Sequence, residues 1–93
     1  MNDARTNAGY LIKSSILVGS NEFVLGVNQK EPNQYVTWQC KNKTDYFWGH
    51  YTDNILKAVK DLCERALDEV AFLEQKQEDK QVQSIKKNKD KER

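Results

Sequence analysis

The stretch that decides the fold is YVTWQCKNKTDYFWGHY, residues 35–51, in which two short runs rich in aromatic and β-branched residues flank the polar segment 41–44. Aromatic and β-branched residues are favoured in strands, and asparagine is favoured in the turns that join them. The stretch therefore predicts a β-hairpin with strands over about residues 35–40 and 45–51.

Two further strands are predicted before this hairpin, over about residues 10–18 and 22–27. Gly19-Ser20-Asn21 supplies a tight turn between them, and a longer connection that contains Pro32 leads into the hairpin. Links this short favour antiparallel neighbours. We therefore expect a four-stranded antiparallel β-meander.

A helix is predicted next, because Thr52-Asp53-Asn54 offers side-chain oxygens to free backbone N–H groups just before an apolar stripe. The stripe recurs at spacings of 3 and 4 and comprises Leu56, Val59, Cys63, Ala66, Val70 and Leu73, widened by Ile55, Leu62 and Leu67. Such a stripe is broad enough to cover a sheet. It stops after Leu73, so we expect the helix to fray by about residue 80.

The predicted fold class is therefore α+β: a four-stranded antiparallel β-meander with one long C-terminal helix packed on one face. Three segments are predicted: a flexible N-terminal arm over residues 1–9, a single α+β domain over 10–75, and a charged, frayed or disordered tail over 76–93.

Composition narrows the class of protein. A chain of 93 residues with a net charge of +1 has room for one small core and lacks the charge of a strongly basic nucleic-acid clamp. No apolar run is long enough to span a bilayer, and no export leader is recognisable. Two cysteines and one histidine are too few for a disulfide framework or a structural zinc site. We expect reduced thiols, no metal, no cofactor, no membrane contact and a cytoplasmic location.

Strand alternation predicts which aromatic residues share a face. A symmetric turn centred on Asn42-Lys43 pairs Trp38 with Phe47 and Val36 with Gly49, and this more apolar set, together with Cys40 and Tyr51, is expected under the helix. The other face then carries Tyr35, Tyr46, Trp48 and His50. A register one residue out exchanges the two roles.

An uncovered aromatic face allows two interpretations. Exposed tryptophan and tyrosine are favoured at recognition surfaces, which predicts a partner-binding face. Alternatively, the N-terminal arm or the proline loop covers this face, or it packs in a homodimer. Phe72 projects away from the predicted helix stripe and is either a partner contact or folded onto a bend in the helix. The predicted partner-binding residues are Tyr35, Tyr46, Trp48, His50 and Phe72.

These residues support two other functions less well. Aromatic side chains on a sheet can stack single-stranded bases, so single-stranded nucleic-acid binding is the alternative function. However, residues 10–51 hold four lysines against three acids, a surplus of only one. Catalysis would need a Cys–His dyad, and the predicted register separates Cys40 from His50 by roughly 16 Å. We therefore expect a non-enzymatic protein.

The strings YVTWQC at residues 35–40 and YFWGHY at residues 46–51, followed by a helix, resemble small proteins of unassigned function from phages and conjugative elements of Gram-positive bacteria. The resemblance covers residues 10–73. It implies a cytoplasmic accessory protein of a mobile element, such as one that binds and blocks a host factor, and it supplies no catalytic or binding residues.

Overall fold

The computed structural model describes the backbone of residues 5–91 and the side chains of residues 5–77. It confirms the α+β class, with an antiparallel sheet and one C-terminal helix. The elements are β1 Thr6–Asn7, β2 Tyr10–Val18, β3 Asn21–Asn28, β4 Tyr35–Lys41, β5 Asp45–Thr52 and α1 Ile55–Lys91. The strands lie in the order β1-β2-β3-β4-β5, as the predicted meander requires.

The prediction of four strands is wrong, because the sheet has a fifth strand at its N-terminal edge. β1 lies within the predicted arm and pairs with β2 through a two-residue turn in which Ala8 and Gly9 have φ values of 51° and 85°. The N–H of Ile12 also donates to the carbonyl of Arg5. A strand of two residues is too short to show an alternating pattern, which is why the sequence did not reveal it. Residues 1–4 of the predicted arm lie outside the described residues.

The sheet is curled into a half-barrel. One extra residue, Lys13, bulges from β2, and a second irregularity interrupts β5 opposite Trp38. Bulges bend a strand and increase its twist. In a flat sheet β1 and β5 would lie about 19 Å apart, yet the Arg5 guanidinium, next to β1, donates to the Tyr46 hydroxyl of β5 at 2.8 Å. The curl therefore brings the two edges of the sheet together.

The concave face of the half-barrel holds the first of two core clusters, which consists of Val24, Val36, Trp38 and Cys40. Tyrosine rings surround the Trp38 indole edge-on, with centroids 5.5–6.3 Å away, and they belong to Tyr10, Tyr46 and Tyr51. Burial raises the pKa of the Cys40 thiol, so the group stays protonated. Within the described residues α1 lies on the opposite face, and the curl of the sheet itself buries this one.

Helix α1 packs on the convex face. The second core cluster lies between helix and sheet, and Phe23 and Leu25 of β3 form its sheet side. The helix buries Ala58, Leu62 and Ala66, one residue per turn. Asn54 caps it, because its Oδ1 accepts from the N–H groups of Leu56 at 2.9 Å and Lys57 at 3.1 Å. The cap agrees with the predicted start of the helix.

Two details of the predicted packing are wrong. The Trp38 face was expected under the helix, whereas it lines the concave side. The buried helix stripe was expected to centre on Val59 and Val70, whereas Ala58, Leu62 and Ala66 are buried and Val59 and Val70 are exposed. A convex sheet touches only a narrow strip of a helix, and two alanines allow the close approach that this strip requires.

Helix α1 extends to Lys91, through most of the segment 76–93 that was predicted as a frayed tail. Fraying of this segment in solution stays a prediction. Among the described residues, no helix combines the length and apolar character needed to cross a bilayer.

An ion pair closes the concave side. The Arg5 guanidinium donates to the buried Glu22 carboxylate at 2.8 and 3.2 Å and to the Tyr46 hydroxyl. The hydrogen bonds from Arg5 lower the pKa of Glu22 although burial opposes this, and the same bonds raise the pKa of Arg5. Because Arg5 precedes β1 and Tyr46 lies in β5, this contact links the two edges.

We predict that Arg5→Ala lowers the free energy of unfolding by about 2 kcal/mol at pH 7, because it leaves a buried carboxylate unpaired. The folded-state pKa of Glu22 lies below the ordinary value of about 4.3, so the pair stabilises the protein above that pH, and this contribution is lost as pH falls through the folded-state pKa. Urea unfolding at pH 7 and pH 3 measures this. Arg5→Lys, which keeps the charge, should lose less at pH 7, and an equal loss for Arg5→Ala at both pH values would contradict the assignment.

Candidate partner-binding groove

The β4–β5 hairpin has a different register from the predicted one. Its loop contains three residues, Asn42, Lys43 and Thr44, instead of a symmetric turn; the first two have φ values of 56° and 67°. The odd loop pairs Gln39 with Phe47 in place of Trp38 with Phe47. The predicted register is therefore wrong by one residue next to the loop.

A bulge then shifts the register again. Thr37 pairs with His50, so that two residues of β5, Trp48 and Gly49, lie opposite Trp38 alone. Gly49 is required at this position, because a Cβ there would lie 2.7 Å from the Trp38 Nε1. The bulge interrupts the strict alternation of side chains along β5, and this is why the predicted face shared by Tyr46, Trp48 and His50 does not exist.

Trp48 has a left-handed backbone, with φ at 56°, and its side chain is 69% exposed. This conformation costs a non-glycine residue about 1–2 kcal/mol and persists only where surrounding contacts hold it. Here Arg65 of α1 donates to the Trp48 carbonyl, and the Phe47 ring packs edge-on against the Trp48 indole with centroids 5.0 Å apart. The two contacts hold an exposed tryptophan in one place.

A polar cluster between β4, β5 and α1 supports Arg65. Asp61 accepts hydrogen bonds from the buried Thr37 hydroxyl and from His50 Nδ1, the latter at 2.9 Å, and its carboxylate lies 3.8 Å from Arg65 Nε. Burial opposes ionisation of Asp61, but the hydrogen bonds from Thr37 and His50 and the Arg65 charge prevail and lower its pKa. Burial lowers the pKa of Arg65. The cluster joins the helix to the sheet beneath the exposed tryptophan.

An open groove of about 340 Å³ lies between this part of β5 and the helix. It is lined by Phe23, Gln39, Trp48, Arg65, Asp68, Glu69 and Phe72. Trp48 and Phe72 are the two large exposed apolar side chains among them, and Phe72 is 56% exposed. We call this feature the Trp48–Phe72 groove.

Among the residues that line the groove two carboxylates, Asp68 and Glu69, outnumber one guanidinium, and Lys76 Nζ lies 5.5 Å from the centroid of the Phe72 ring. Arg65 is already committed to the Trp48 carbonyl and to Asp61. Glu69 accepts a hydrogen bond from the Asn21 amide at 2.9 Å, which does not neutralise it, and Asp68 is exposed. The groove therefore presents two aromatic side chains beside two carboxylates.

The structure divides the five predicted partner-binding residues among different places. Trp48 and Phe72 both line the groove. His50 lies behind it, with Nε2 at 3.4 Å from the Arg65 guanidinium. Tyr35 is half-buried against the helix-side core, and Tyr46 lies on the concave face, bonded to Arg5. Tyr35 and Tyr46 do not share a surface with Trp48, and a partner-binding role for any of the five stays a prediction.

Sequence reasoning did not identify the polar residues of the groove. A glycine inside a strand is a bulge signal, and Gly49 directly after Trp48 could have indicated that the alternation fails there. Arg65, Asp68, Glu69 and Phe72 recur at helical spacing, so that they share one flank of α1. Nothing in the sequence indicates that this flank faces β5.

The described residues do not assemble a recognisable catalytic or metal centre. His50 and Asp61 form a pair, but the second ring nitrogen of His50 faces the Arg65 guanidinium and not a nucleophile. Cys40 is buried on the concave face, and Cys63 is exposed on the helix. Within residues 5–77, no three Cys, His, Asp or Glu side chains are grouped so as to hold a metal ion.

We predict that Trp48→Gly is more stable than Trp48→Ala by about 1 kcal/mol, because glycine adopts a left-handed backbone without strain whereas alanine does not. Both variants remove the same indole, so the comparison isolates the backbone. Thermal or urea unfolding of the two variants measures the difference. An alanine variant as stable as the glycine variant would mean that residue 48 is not left-handed.

Comparisons of the chain with models of known protein families, with curated proteins and with solved structures each found no match. The resemblance to small proteins of phages and conjugative elements therefore stays a prediction.

Proposed function

We propose that the protein is a small non-enzymatic interaction module that binds a segment of a partner protein in the Trp48–Phe72 groove. One observation carries this proposal: an exposed tryptophan is held in a strained backbone conformation beside an exposed phenylalanine. Strained residues concentrate at functional sites, where the surrounding structure pays for them. A tryptophan needed only for stability would be expected inside the core, as Trp38 is.

The two aromatic side chains suit recognition of an apolar side chain. Tryptophan and phenylalanine offer large rigid surfaces at low cost in conformational entropy, and tryptophan is enriched among residues that dominate binding energy. Trp48 is fixed from below by Arg65 and from the side by Phe47. Because the surface is ordered before binding, a partner loses less entropy when it docks.

The charge of the groove narrows the partner's chemistry. Asp68 and Glu69 border the aromatic pair, whereas the nearby cations already have contacts: Arg65 with Asp61 and the Trp48 carbonyl, and Lys76 with the Phe72 ring. Opposite charge across an interface raises the association rate and selects partners. We therefore assign the groove a peptide segment that carries one large apolar side chain next to lysine or arginine.

The same carboxylates disfavour the alternative, single-stranded nucleic acid. Stacking on Trp48 and Phe72 would bring phosphates toward Asp68 and Glu69, whereas nucleic-acid sites gain affinity from cations that neutralise the backbone. A non-enzymatic role is favoured because the second ring nitrogen of His50 faces the Arg65 guanidinium and not a nucleophile. A cytoplasmic accessory or inhibitor role in a mobile element rests on the sequence resemblance alone.

Selection from a phage-displayed library of random 12-residue peptides tests this function. We expect enriched peptides to carry an aromatic or large aliphatic residue beside a basic one. For a synthetic peptide of the enriched sequence, Trp48→Ala or Phe72→Ala should weaken binding at least tenfold, about 1.4 kcal/mol. Asp68→Lys should weaken it as well and reduce its dependence on salt.

The matched control is Leu17→Ala, which removes another exposed apolar side chain that does not line the groove. It should leave peptide affinity unchanged. Failure to enrich any peptide, or enriched peptides that bind the Trp48 and Phe72 variants normally, would overturn the proposal. Quenching of tryptophan fluorescence by an oligonucleotide at low salt, lost in Trp48→Ala, would favour the nucleic-acid alternative instead.

A further inference from the structure

The helix carries a second exposed apolar surface on the flank away from the groove. It consists of Leu56, Val59, Cys63, Leu67 and Val70, which we call the helix ridge. Leu56 is 75% exposed and Leu67 is 64% exposed. In a projection down the helix axis, with about 100° per residue, the centre of the ridge lies about 100° from Leu62, which faces the sheet. Phe72 lies about 80° from Leu62 in the opposite direction. The ridge and the groove are therefore separate surfaces.

The curl of the sheet explains why the ridge is open. The sheet bends away from the helix, so that it covers only the strip formed by Ala58, Leu62 and Ala66. An apolar stripe that continues beyond the covered strip is unusual on a solvated helix, where charged residues normally occupy the remaining faces. Exposed apolar surfaces of this kind mark interaction sites.

The spacing of the ridge residues is symmetric about Cys63. Leu56 and Val59 precede it by seven and four residues, and Leu67 and Val70 follow it by four and seven. Two such helices that lie antiparallel with Cys63 facing Cys63 place Leu56 opposite Val70 and Val59 opposite Leu67. An interface of two identical patches around a two-fold axis must be self-complementary in this way.

The charges beside the ridge have the same symmetry. Lys60 precedes Cys63 and Glu64 follows it on the same outer flank of the helix, where their charged groups lie 4.0 Å apart within one chain. In the antiparallel arrangement Lys60 of each copy comes within two residues of Glu64 of the other copy, so the pair forms twice about the two-fold axis. In a parallel arrangement the same flank of the two copies lies on opposite sides of the interface, so these pairs could not form.

We propose that two copies of this chain form an antiparallel homodimer through the helix ridge, with the two-fold axis at Cys63. Apolar burial drives the association, and the lysine–carboxylate pairs set its direction. The grooves stay open on the far flanks of the two helices, so the dimer presents two of them. This dimer does not depend on the proposed function, because no ridge residue lines the groove.

Sedimentation equilibrium of the full chain under reducing conditions tests the association. The native chain should reach the mass of a dimer as its concentration rises, and Leu67→Glu should remain a monomer with unchanged helical circular dichroism. Lys60→Glu and Glu64→Lys should each weaken the dimer, and the double variant should restore it. A native chain that is monomeric throughout, or a dimer that survives Leu67→Glu, would overturn the proposal.

Mild oxidation tests the direction of the helices. The native chain should give a disulfide-linked dimer through Cys63, since Cys40 is buried, and Cys63→Ser should abolish it. Val70 is the control position, because it lies in the ridge: in antiparallel helices centred on residue 63 its two copies lie about 21 Å apart, too far for a disulfide, whereas parallel helices would place them side by side. Cys63→Ser/Val70→Cys should therefore not cross-link, and efficient cross-linking of that variant would contradict the antiparallel arrangement.

Discussion

The packing of tyrosine rings around the Trp38 indole is the interaction on which the rest of the structure depends. Three edge-on contacts from β2 and β5 can form only if the sheet curls around this side chain. Gly49 lets β5 pass close to the indole, and Arg5 ties the outer edge to Tyr46. The curl makes the other face convex, so that one helix covers a narrow strip and leaves both of its flanks open. The groove and the ridge are the two surfaces that result.

Local signals in the sequence account for the parts of the fold that were predicted. Alternation and turn residues located the strand Tyr10–Val18 with its observed bounds, and Asn54 marked the helix start. These features depend on neighbouring residues only. The register of β5 depends instead on how Asn42 and Lys43 adopt a left-handed backbone and on the space beside Trp38. Both depend on contacts between neighbouring strands, and the periodicity of the sequence contains no information about those contacts.

The candidate site was predicted only in part, because its geometry also depends on contacts between strands. Trp48 and Phe72 were singled out as aromatic residues without a place in the core, and the structure brings both to one groove. Tyr46 was grouped with Trp48 on the assumption of unbroken alternation, which the bulge invalidates. The carboxylates of Asp68 and Glu69 were not assigned to the site. Their place in the groove depends on the position of β5 beside the helix, and that position follows from the curl of the sheet.

The most direct test is proton NOE spectroscopy of the full chain in solution, with the two indole rings distinguished by Trp48→Phe. If the bulge and curl are correct, the Trp38 indole has contacts to the rings of Tyr10, Tyr46 and Tyr51, and the Trp48 indole has contacts to Phe47 and none to these tyrosines. Contacts between the Trp48 indole and the Tyr46 ring, or between the Trp38 indole and Leu62 of the helix, would contradict the account.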